Sequence, residues 1–341
     1  YGDHRDLHVR SRRQRQMCIR DRILTGVQST GTPHLGNLLG AVLPAIEMAK
    51  ATKDDSFLFI ADLHSLTQIK NGKKLRENTF STAATWMACG LDVEKTDFYR
   101  QSDVSEVTEL TWYLNCYFPY QRLTLAHSFK DKSEDLTDVN TGLFTYPMLM
   151  AADILLYDAE VIPVGKDQLQ HLEITRDVAS RFNHQMGETF VIPRAKIQES
   201  TQNIPGTDGQ KMSKSKNNTI NIFLSEKKLR KQIMSIQTDS TPMEAPKDPT
   251  KCNVFAIYSL VAPDSSSEEL RAQYKAGGMG YGQAKLQLFE FILEHFAKER
   301  KLYDYLHQNP DEVYIALAKG AEKARKVARE VILRVRDKAG Y

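Results

Sequence analysis

The segment GTPHLGNLLG, residues 31–40, has residue types suited to binding phosphate. It follows the strand-like run ILTGV and precedes an apolar helical pattern, so its backbone N–H groups would lie at the start of a helix. Glycine lets an anion approach the backbone closely, and His34 and Asn37 can donate hydrogen bonds to phosphate oxygens. An ordinary strand-to-helix turn with His34 at the surface explains the segment equally well. The segment matches neither the P-loop nor the GxGxxG pattern.

A second segment, IPGTDGQKMSKSKNN at residues 204–218, is cationic and rich in glycine and hydroxyl side chains. A flexible loop that carries Lys211 and Lys214 could close over a leaving pyrophosphate and neutralise its charge. Such a run, taken alone, is more typical of a solvated surface loop. The two segments together favour chemistry on a nucleoside triphosphate.

A third pattern lies in TYPMLMAADILLYDAEVIPV. On a helix, Tyr146, Met150, Asp153 and Tyr157 share one stripe, which places an aromatic ring, a thioether and a carboxylate side by side. A carboxylate among apolar residues needs a partner, and an indole N–H would serve. Pairing of Asp153 with a lysine or a neighbouring backbone group, with the stripe as plain core, is the simpler interpretation on helix patterning alone.

The HLGN and KMSKS motifs are similar to the HIGH and KMSKS signature pair of class I aminoacyl-tRNA synthetases. Asn37 replaces the last histidine of HIGH, where its amide can still donate to phosphate. From Ile23 to the C-terminus, the chain resembles the bacterial tryptophanyl-tRNA synthetases. The resemblance implies a two-step reaction, in which L-tryptophan and ATP form tryptophanyl-adenylate and pyrophosphate, and tryptophan then passes to the 3′ end of tRNA(Trp).

The resemblance also implies the residues of the site. Charge stabilisation in catalysis is implied for His34, Asn37, Lys211 and Lys214. Contacts to ATP are implied for Gln28, Ser29, Thr30, Gly36, Asn37, Lys132, Gly165, Lys166, Asp167, Ile204, Lys211, Met212, Ser213, Lys214 and Ser215. Contacts to tryptophan are implied for Tyr146, Met150, Asp153, Val164 and Gln168, with Asp153 accepting the indole N–H. No metal site of the chain's own is expected, because ATP phosphates and water would hold Mg²⁺.

The elements that position these residues alternate between strands and helices. RILTGV, SFLFIAD, TDFYRQS and AEVIPV are predicted strands, separated by predicted helices at about 36–52, 72–90, 105–118, 146–157 and 167–184. This order predicts an α/β fold with a Rossmann-like parallel sheet, in which ligands bind at the carboxyl ends of the strands. We assign residues 23–220 to this catalytic domain and 221–341 to a second, all-helical domain that recognises the tRNA anticodon. Its last helix is expected to be basic, to break at Gly320 and either to pack back on the catalytic domain or to contact tRNA phosphates.

Composition narrows the class of protein. The 341 residues carry a net charge of only +3, so a polyanion would have to be bound by local clusters. Four scattered cysteines argue against a zinc site and a disulfide framework. The absence of a long apolar run or a signal-peptide pattern predicts a cytoplasmic protein with no membrane partner. Residues 1–22 are rich in arginine and are interpreted as a leader or non-native extension, with a basic RNA-binding arm as the alternative.

Two other functions remain open at this stage. A tyrosyl-tRNA synthetase shares the fold and both motifs. A non-catalytic RNA-binding paralogue would keep the fold without the activity, although such a protein has no need for paired triphosphate-binding segments. If the protein is a synthetase, the resemblance implies a homodimer in which one tRNA contacts both subunits. It implies no DNA partner.

Overall fold

The computed structural model describes residues 22–52, 55–125, 139–165, 168–197 and 204–341. The strands are β1 Ile23–Val27, β2 Ser56–Ile60, β3 Asp97–Arg100, β4 Val161–Val164 and β5 Arg194–Ile197. The α-helices are α1 Leu35–Asn37, α2 Leu43–Ala51, α3 Asp62–Ser65, α4 Gly72–Ala88, α5 Glu106–Tyr117, α6 Tyr120–Leu123, α7 Thr141–Leu155, α8 Leu169–Met186, α9 Glu226–Met234, α10 Asn253–Val261, α11 Asp264–Ala276, α12 Tyr281–His295, α13 Ala297–Gln308 and α14 Pro310–Ala339. A π-helical stretch, Leu38–Val42, joins α1 to α2.

The strands form two parallel groups. One sheet has the order β1-β2-β3, and β4 pairs with β5, so the predicted α/β fold class with parallel strands is confirmed. Every residue of β2 is buried, because β2 is the central strand of a sheet covered on both faces. The four predicted strands are present, but β5 was not predicted. Its residues 194–196 are exposed, so the strand lacks the apolar run that the sequence analysis relied on.

The five predicted helices of the first half are present and differ from the prediction mainly at their ends, while the short helices α3 and α6 were not predicted. The largest difference is at α7, which begins at Thr141 and not near residue 146. Asn140 caps this helix by accepting a hydrogen bond from the backbone N–H of Leu143 at 3.1 Å. This cap adds more than one turn before Tyr146, and Pro147 lies inside the helix.

The buried apolar side chains form two clusters. One contains Leu38 and Trp86 together with Val254 and Leu317, so it joins the first half of the chain to the helical part. The other contains strand residues such as Phe57 together with the second half of α14. Neither cluster ends at residue 220, and the division into two domains at that position stays a prediction.

Helix α14 runs without a break from Pro310 to Ala339, so the predicted interruption at Gly320 is wrong. Gly320 is where the helix crosses β3, and a Cβ there would lie 2.0 Å from the carbonyl oxygen of Phe98. Glycine is needed because only a residue without a side chain allows this close approach. The last helix therefore packs on the sheet.

Five of the eight lysine and arginine residues of α14 form ion pairs with the first half of the chain. The pairs are Lys319–Glu94, Lys323–Asp97, Arg329–Glu106, Arg334–Asp158 and Arg336–Glu109. These five side chains are engaged by carboxylates, and contact of α14 with tRNA phosphates stays a prediction. Within the described ranges, no helix combines the length and the apolar character needed to cross a bilayer.

Candidate active site

The start of the first helix is shaped by a reciprocal cap. His34 Nδ1 accepts a hydrogen bond from the backbone N–H of Asn37 at 3.3 Å, and Asn37 Oδ1 accepts one from the backbone N–H of His34 at 3.2 Å. Two of the backbone donors at the helix start are satisfied in this way. The Nδ2 amide group of Asn37 and the Nε2 atom of His34 are not part of the cap.

The charge state of His34 follows from its surroundings. Burial and the nearby Lys214 ammonium lower the pKa of His34 to about 4, so the ring is neutral at pH 7. Because Nδ1 accepts the cap hydrogen bond, the neutral ring carries its proton on Nε2. His34 can therefore donate one hydrogen bond without carrying a charge.

The lysine-rich loop lies directly over this helix start. We call residues 204–218 the signature loop. A Cβ on Gly31 would lie 3.2 Å from Lys214 Nζ, and the backbone N–H of Gly36 donates to Met212 Sδ at 3.3 Å. Although much of its side chain is exposed, burial of the Lys214 ammonium lowers its pKa to about 8. Two segments about 180 residues apart in sequence thus meet at one place, as the sequence analysis predicts.

A cavity of about 630 Å³ opens beside the helix start, between β1 and β4. Its lining includes seven of the predicted residues, namely Gln28, Tyr146, Met150, Asp153, Val164, Gly165 and Gln168. It also includes His64, His171 and Gly40, which were not predicted. Ile204 is buried next to Gly40, where a Cβ would lie 3.6 Å from Ile204 Cδ1. The cavity therefore holds all five predicted tryptophan contacts together with two of the predicted ATP contacts, Gln28 and Gly165.

The carboxylate of Asp153 is held at the wall of this cavity by two polar side chains. Asp153 is 5% exposed, and Gln101 Nε2 donates to both of its oxygens at 2.8 Å. His64 Nε2 lies 3.0 Å from Asp153 Oδ2. Gln101 is oriented in turn by the backbone N–H of His64, which donates to Gln101 Oε1 at 3.4 Å.

These contacts determine what Asp153 can still bind. Burial raises the pKa of the Asp153 carboxyl, and the hydrogen bonds from His64 and Gln101 oppose that shift by favouring the ionised form. A carboxylate has room for about four hydrogen bonds, and three are made here. One more N–H donor can be accepted. The partner of Asp153 is thus neither the lysine nor the backbone group considered from the sequence.

Tyr146 is fixed from the other side of the cavity. Its hydroxyl lies 2.6 Å from His171 Nε2, and its ring meets the ring of His64 edge-on at 6.2 Å between centroids. These contacts leave Tyr146 few alternative rotamers. The rigid wall they form suits recognition of a planar substrate group.

Not every predicted residue enters the site through its side chain. The Ser29 hydroxyl is fully buried and bonded to Ser65 and Thr79, so it anchors the segment after β1 and does not face the cavity. Lys211 and Ser215 are exposed, and Ser213 bonds Ser215 through their hydroxyls at 2.8 Å. Thr30 is half-buried beside Gly31. Three predicted ATP contacts, Lys132, Lys166 and Asp167, lie outside the described residues.

His64 and Gln101 are the functional residues that the sequence analysis missed, and a signal for them existed. Gln101 directly follows β3, and His64 lies four residues after β2. In parallel α/β sheets, ligands bind at the carboxyl ends of the strands. Applying that rule to every strand, and not to β1 alone, would have identified both.

Among the described residues, no group of three or more His, Cys, Asp or Glu side chains could hold a metal ion. A Mg²⁺ ion bound mainly by phosphate oxygens and water is compatible with this donor set, because such an ion needs few protein ligands.

Comparison with known proteins agrees with the motifs. A family model described as tRNA synthetases class I (W and Y) matches residues 19–297. A tryptophan–tRNA ligase from Rhodopirellula baltica is 48% identical over 319 residues, which are 94% of this chain and 99% of that protein. The crystal structure of tryptophanyl-tRNA synthetase from Campylobacter jejuni, complexed with ADP and tryptophan, has a TM-score of 0.89 at 45% identity and covers 94% of this chain and 100% of its own. The crystal structure of tryptophanyl-tRNA synthetase from Mycoplasma pneumoniae has a TM-score of 0.77 at 29% identity and covers 95% of this chain and 98% of its own.

These similarities confirm the resemblance drawn from HLGN and KMSKS. Several of the relatives are bacterial tryptophan–tRNA ligases, each matching 94% of this chain. The chain therefore belongs to the class I aminoacyl-tRNA synthetases, and within that class to the tryptophan–tRNA ligase family.

Proposed function

We propose that this protein activates L-tryptophan with ATP and transfers it to tRNA(Trp). The observation that carries the proposal is the position of the Asp153 carboxylate. It is held by Gln101 and His64 at the wall of the same cavity that Gln28 and Gly165 line. An amino acid bound at Asp153 and a nucleotide bound at the helix start would be close enough to react.

Tryptophan would be recognised through its indole ring. Asp153 accepts the indole N–H in its remaining hydrogen-bond position, while Met150 and Val164 contact the ring. Tyr146 and Gln168 lie on the same cavity wall and bind the ammonium group of the amino acid. A site built to bond one polar group rejects analogues that lack it, so phenylalanine would bind poorly.

ATP would be bound between the helix start and the signature loop. Gly36, Ile204, Met212 and Ser213 belong to these two segments, and Thr30, Ser29, Lys132, Lys166, Asp167 and Ser215 complete the proposed contacts. The tryptophan carboxylate attacks the α-phosphorus, a P–O bond to pyrophosphate breaks, and tryptophanyl-adenylate forms. No side chain acts as a covalent nucleophile.

The chain's own residues stabilise the charge that develops in this step. His34 Nε2 and Asn37 Nδ2 donate to phosphate oxygens, and the Lys211 and Lys214 ammonium groups neutralise the leaving pyrophosphate. Binding of the polyphosphate beside Lys214 favours its protonated form and offsets the effect of burial. Mg²⁺, bound through the ATP phosphates, would supply further charge neutralisation.

We further propose that the helical part after residue 220 binds the anticodon region of tRNA(Trp). Phe289, Phe296 and Tyr258 are buried in its core, as the sequence analysis predicts, so they do not serve as base-stacking platforms. Since tRNA charging serves protein synthesis, the expected location is the cytoplasm.

We also propose that the protein acts as a homodimer. Four large apolar side chains, Leu66, Trp112, Tyr120 and Val139, are exposed around the first turns of α7. A cleft lined by Leu66, Thr111 and Gly142 lies among them, and the Tyr120 ring is 5.4 Å from that of Phe144 in α7. Exposed large apolar side chains are typical of an interface, and we propose that a two-fold axis brings this region against its own copy.

ATP–pyrophosphate exchange tests the function, because it reports amino acid, nucleotide and reaction together. We expect exchange that depends on tryptophan and is negligible with tyrosine or phenylalanine. Exchange with tyrosine alone would make the protein a tyrosyl-tRNA synthetase. If a folded preparation shows no exchange with any amino acid, the non-catalytic RNA-binding paralogue is favoured.

A further inference from the structure

Asn218, the last residue of the signature loop, lies beneath that loop and is 2% exposed. A buried primary amide is costly unless its donor and acceptor atoms are both bonded. The contacts of Asn218 run almost entirely to other residues of the signature loop.

The side-chain amide connects three points of the loop. Nδ2 donates to Asp208 Oδ1 at 2.7 Å and to the Lys211 carbonyl oxygen at 3.2 Å. Oδ1 accepts from the backbone N–H of Ser213 at 2.7 Å. A carboxylate can only accept and a backbone N–H can only donate, so the orientation of the amide is unambiguous.

The backbone near Asn218 is also tightly fixed. The backbone N–H of Thr207 donates to the Asn218 carbonyl oxygen at 2.9 Å. A Cβ on Gly206 would lie 2.5 Å from Asn218 Cγ, so the loop passes directly over the amide. The start and the middle of the signature loop are therefore tied to its last residue.

The residues held by Asn218 are those that carry the proposed phosphate contacts. The bonded groups of Lys211 and Ser213 flank Met212, whose sulfur accepts from Gly36 N–H at 3.3 Å. Lys214, which reaches Gly31, follows Ser213 directly. A change in the conformation of residues 211–213 would displace Lys214 from Gly31.

We propose that Asn218 is a positioning residue for amino acid activation, which fixes the backbone at Lys211 and Ser213 and so keeps the Lys214 ammonium group in place beside the segment that leads into α1. The inference rests on the proposed function. Asn218 does not line the cavity with Asp153, so its effect is on the phosphate side of the reaction and not on recognition of tryptophan.

The substitution Asn218→Asp tests this role with almost no change in size. It replaces a donor by a second carboxylate oxygen next to Asp208, and it removes the bond to the Lys211 carbonyl. The hydrogen bond from Asn218 is the main reason that the pKa of Asp208 lies below its ordinary value, so Asp208 is ionised at neutral pH. Two neighbouring carboxylates would repel each other and push the loop apart.

For Asn218→Asp, we expect kcat of tryptophan-dependent ATP–pyrophosphate exchange to fall about tenfold or more, because correctly placed charge is lost in the transition state. KM for tryptophan should stay within about twofold, as expected for a distant and independent site. The matched control is Asn217→Asp, which makes the same change of charge one residue away. Asn217 is exposed and has φ +52°, a conformation that aspartate also adopts, so its exchange rate should stay near that of the parent.

A second substitution distinguishes a positioning role of Asn218 from a general loss of loop structure. Adding Asp208→Asn to Asn218→Asp restores one donor–acceptor pair, now reversed, so kcat should recover in part. A parent-like rate in Asn218→Asp, an equal loss in Asn217→Asp, or an absence of recovery in the double variant would each overturn the proposal. If Asn218→Asp does not fold, Asn218→Ser removes the same bonds without a charge and is judged by the same kcat and KM criteria.

The two proposals fail in different ways. If the parent enzyme shows no tryptophan-dependent exchange, the proposed function is wrong. If the parent exchanges normally and Asn218→Asp does as well, only the role of Asn218 is wrong.

Discussion

Asp153 shows how neighbouring side chains give a common residue a specific role. Alone, a buried carboxylate would take up a proton, because burial raises its pKa. Three donated hydrogen bonds from Gln101 and His64 favour the ionised form and fix its direction. Asp153 also lines the cavity, and we propose that its remaining acceptor position binds an indole N–H, which phenylalanine lacks.

The substitution Asp153→Asn tests the proposed role of the carboxylate by replacing one of its oxygens with an amide nitrogen. An amide cannot accept from Gln101, His64 and indole at the same time, so one of these bonds must be lost. A hydrogen bond to a charged group contributes about 1.5–3 kcal/mol, so KM for tryptophan should rise roughly tenfold to a hundredfold. KM for ATP should change little. Steady-state ATP–pyrophosphate exchange at varied tryptophan and ATP measures both.

Asp62→Asn is the matched control for that variant. Asp62 is also buried and lies in α3 with His64, but its carboxylate accepts from the backbone N–H of Ser102 at 3.0 Å and does not line the cavity. We expect its KM for tryptophan to stay close to that of the parent. An unchanged KM in Asp153→Asn would show that the indole is recognised by another group.

Sequence patterns predicted the residues that belong to one continuous segment. Helical spacing placed Asp153 and Met150 on one stripe, and the resemblance to the tryptophanyl-tRNA synthetases implied their contacts to tryptophan. Gln101 and His64 were missed because their link to Asp153 spans 52 and 89 residues of sequence, and no local pattern encodes it. The same holds for Ser29, whose hydroxyl is turned away from the cavity by Ser65 and Thr79.

At the scale of elements, the carboxyl ends of the strands organise the site. Gln28 follows β1 and Gly165 follows β4, and both line the cavity, while Gln101 follows β3 and holds Asp153 at the cavity wall. Helix α7 then adds Tyr146 and Asp153 from the side. Strand positions were predictable from short apolar runs, whereas the exposed edge strand β5 was not.

Helix α14 packs against β3, and Gly320 is the residue at which the two elements approach each other most closely. Ala is normally the better helix former by about 1 kcal/mol. Here the added methyl would meet the Phe98 backbone at 2.0 Å, so the helix or β3 must move. We expect Gly320→Ala to lower the free energy of unfolding by about 1–3 kcal/mol, as overpacking does. Urea denaturation followed by circular dichroism measures the change.

Gly282→Ala provides the comparison within the same protein. Gly282 is exposed in the first turn of α12, and a Cβ there has no atom within 4 Å. Its substitution should leave stability unchanged or raise it by up to about 1 kcal/mol. Equal effects of the two substitutions would mean that α14 does not press on β3. The sequence analysis interpreted Gly320 as a helix break because the reason for this glycine lies in a strand more than 200 residues away.

At the scale of the whole molecule, the two buried clusters connect parts that the sequence separates. The signature loop is bonded to the helical part as well as to the helix start, since the backbone N–H of Gln237 donates to the Thr207 carbonyl oxygen at 2.7 Å. A displacement of the helical part would therefore be transmitted to the loop that carries Lys214. If the helical part binds tRNA as proposed, this bond would connect tRNA binding to the proposed activation site.

The proposed dimer is the largest-scale prediction, and Trp112 is its most exposed large apolar side chain near α7, at 70% exposure. Burying an indole removes roughly 150–250 Å² of apolar surface from water, which contributes about 4 kcal/mol at 25 cal/mol per Å². In a two-fold symmetric dimer, Trp112 of each subunit would make this contribution. We expect Trp112→Glu to weaken self-association at least about a hundredfold.

Analytical ultracentrifugation over a range of protein concentrations measures the effect. The parent should sediment as a dimer and Trp112→Glu as a monomer at the same micromolar concentration. Ile315→Glu is the control, because Ile315 is 66% exposed on α14, outside the surface around α7, and should leave the dimer intact. A monomeric parent, or a Trp112→Glu variant that stays dimeric, would contradict the proposed interface. If the interface is correct, charging of tRNA should fall in the monomer, because the proposed tRNA complex spans both subunits.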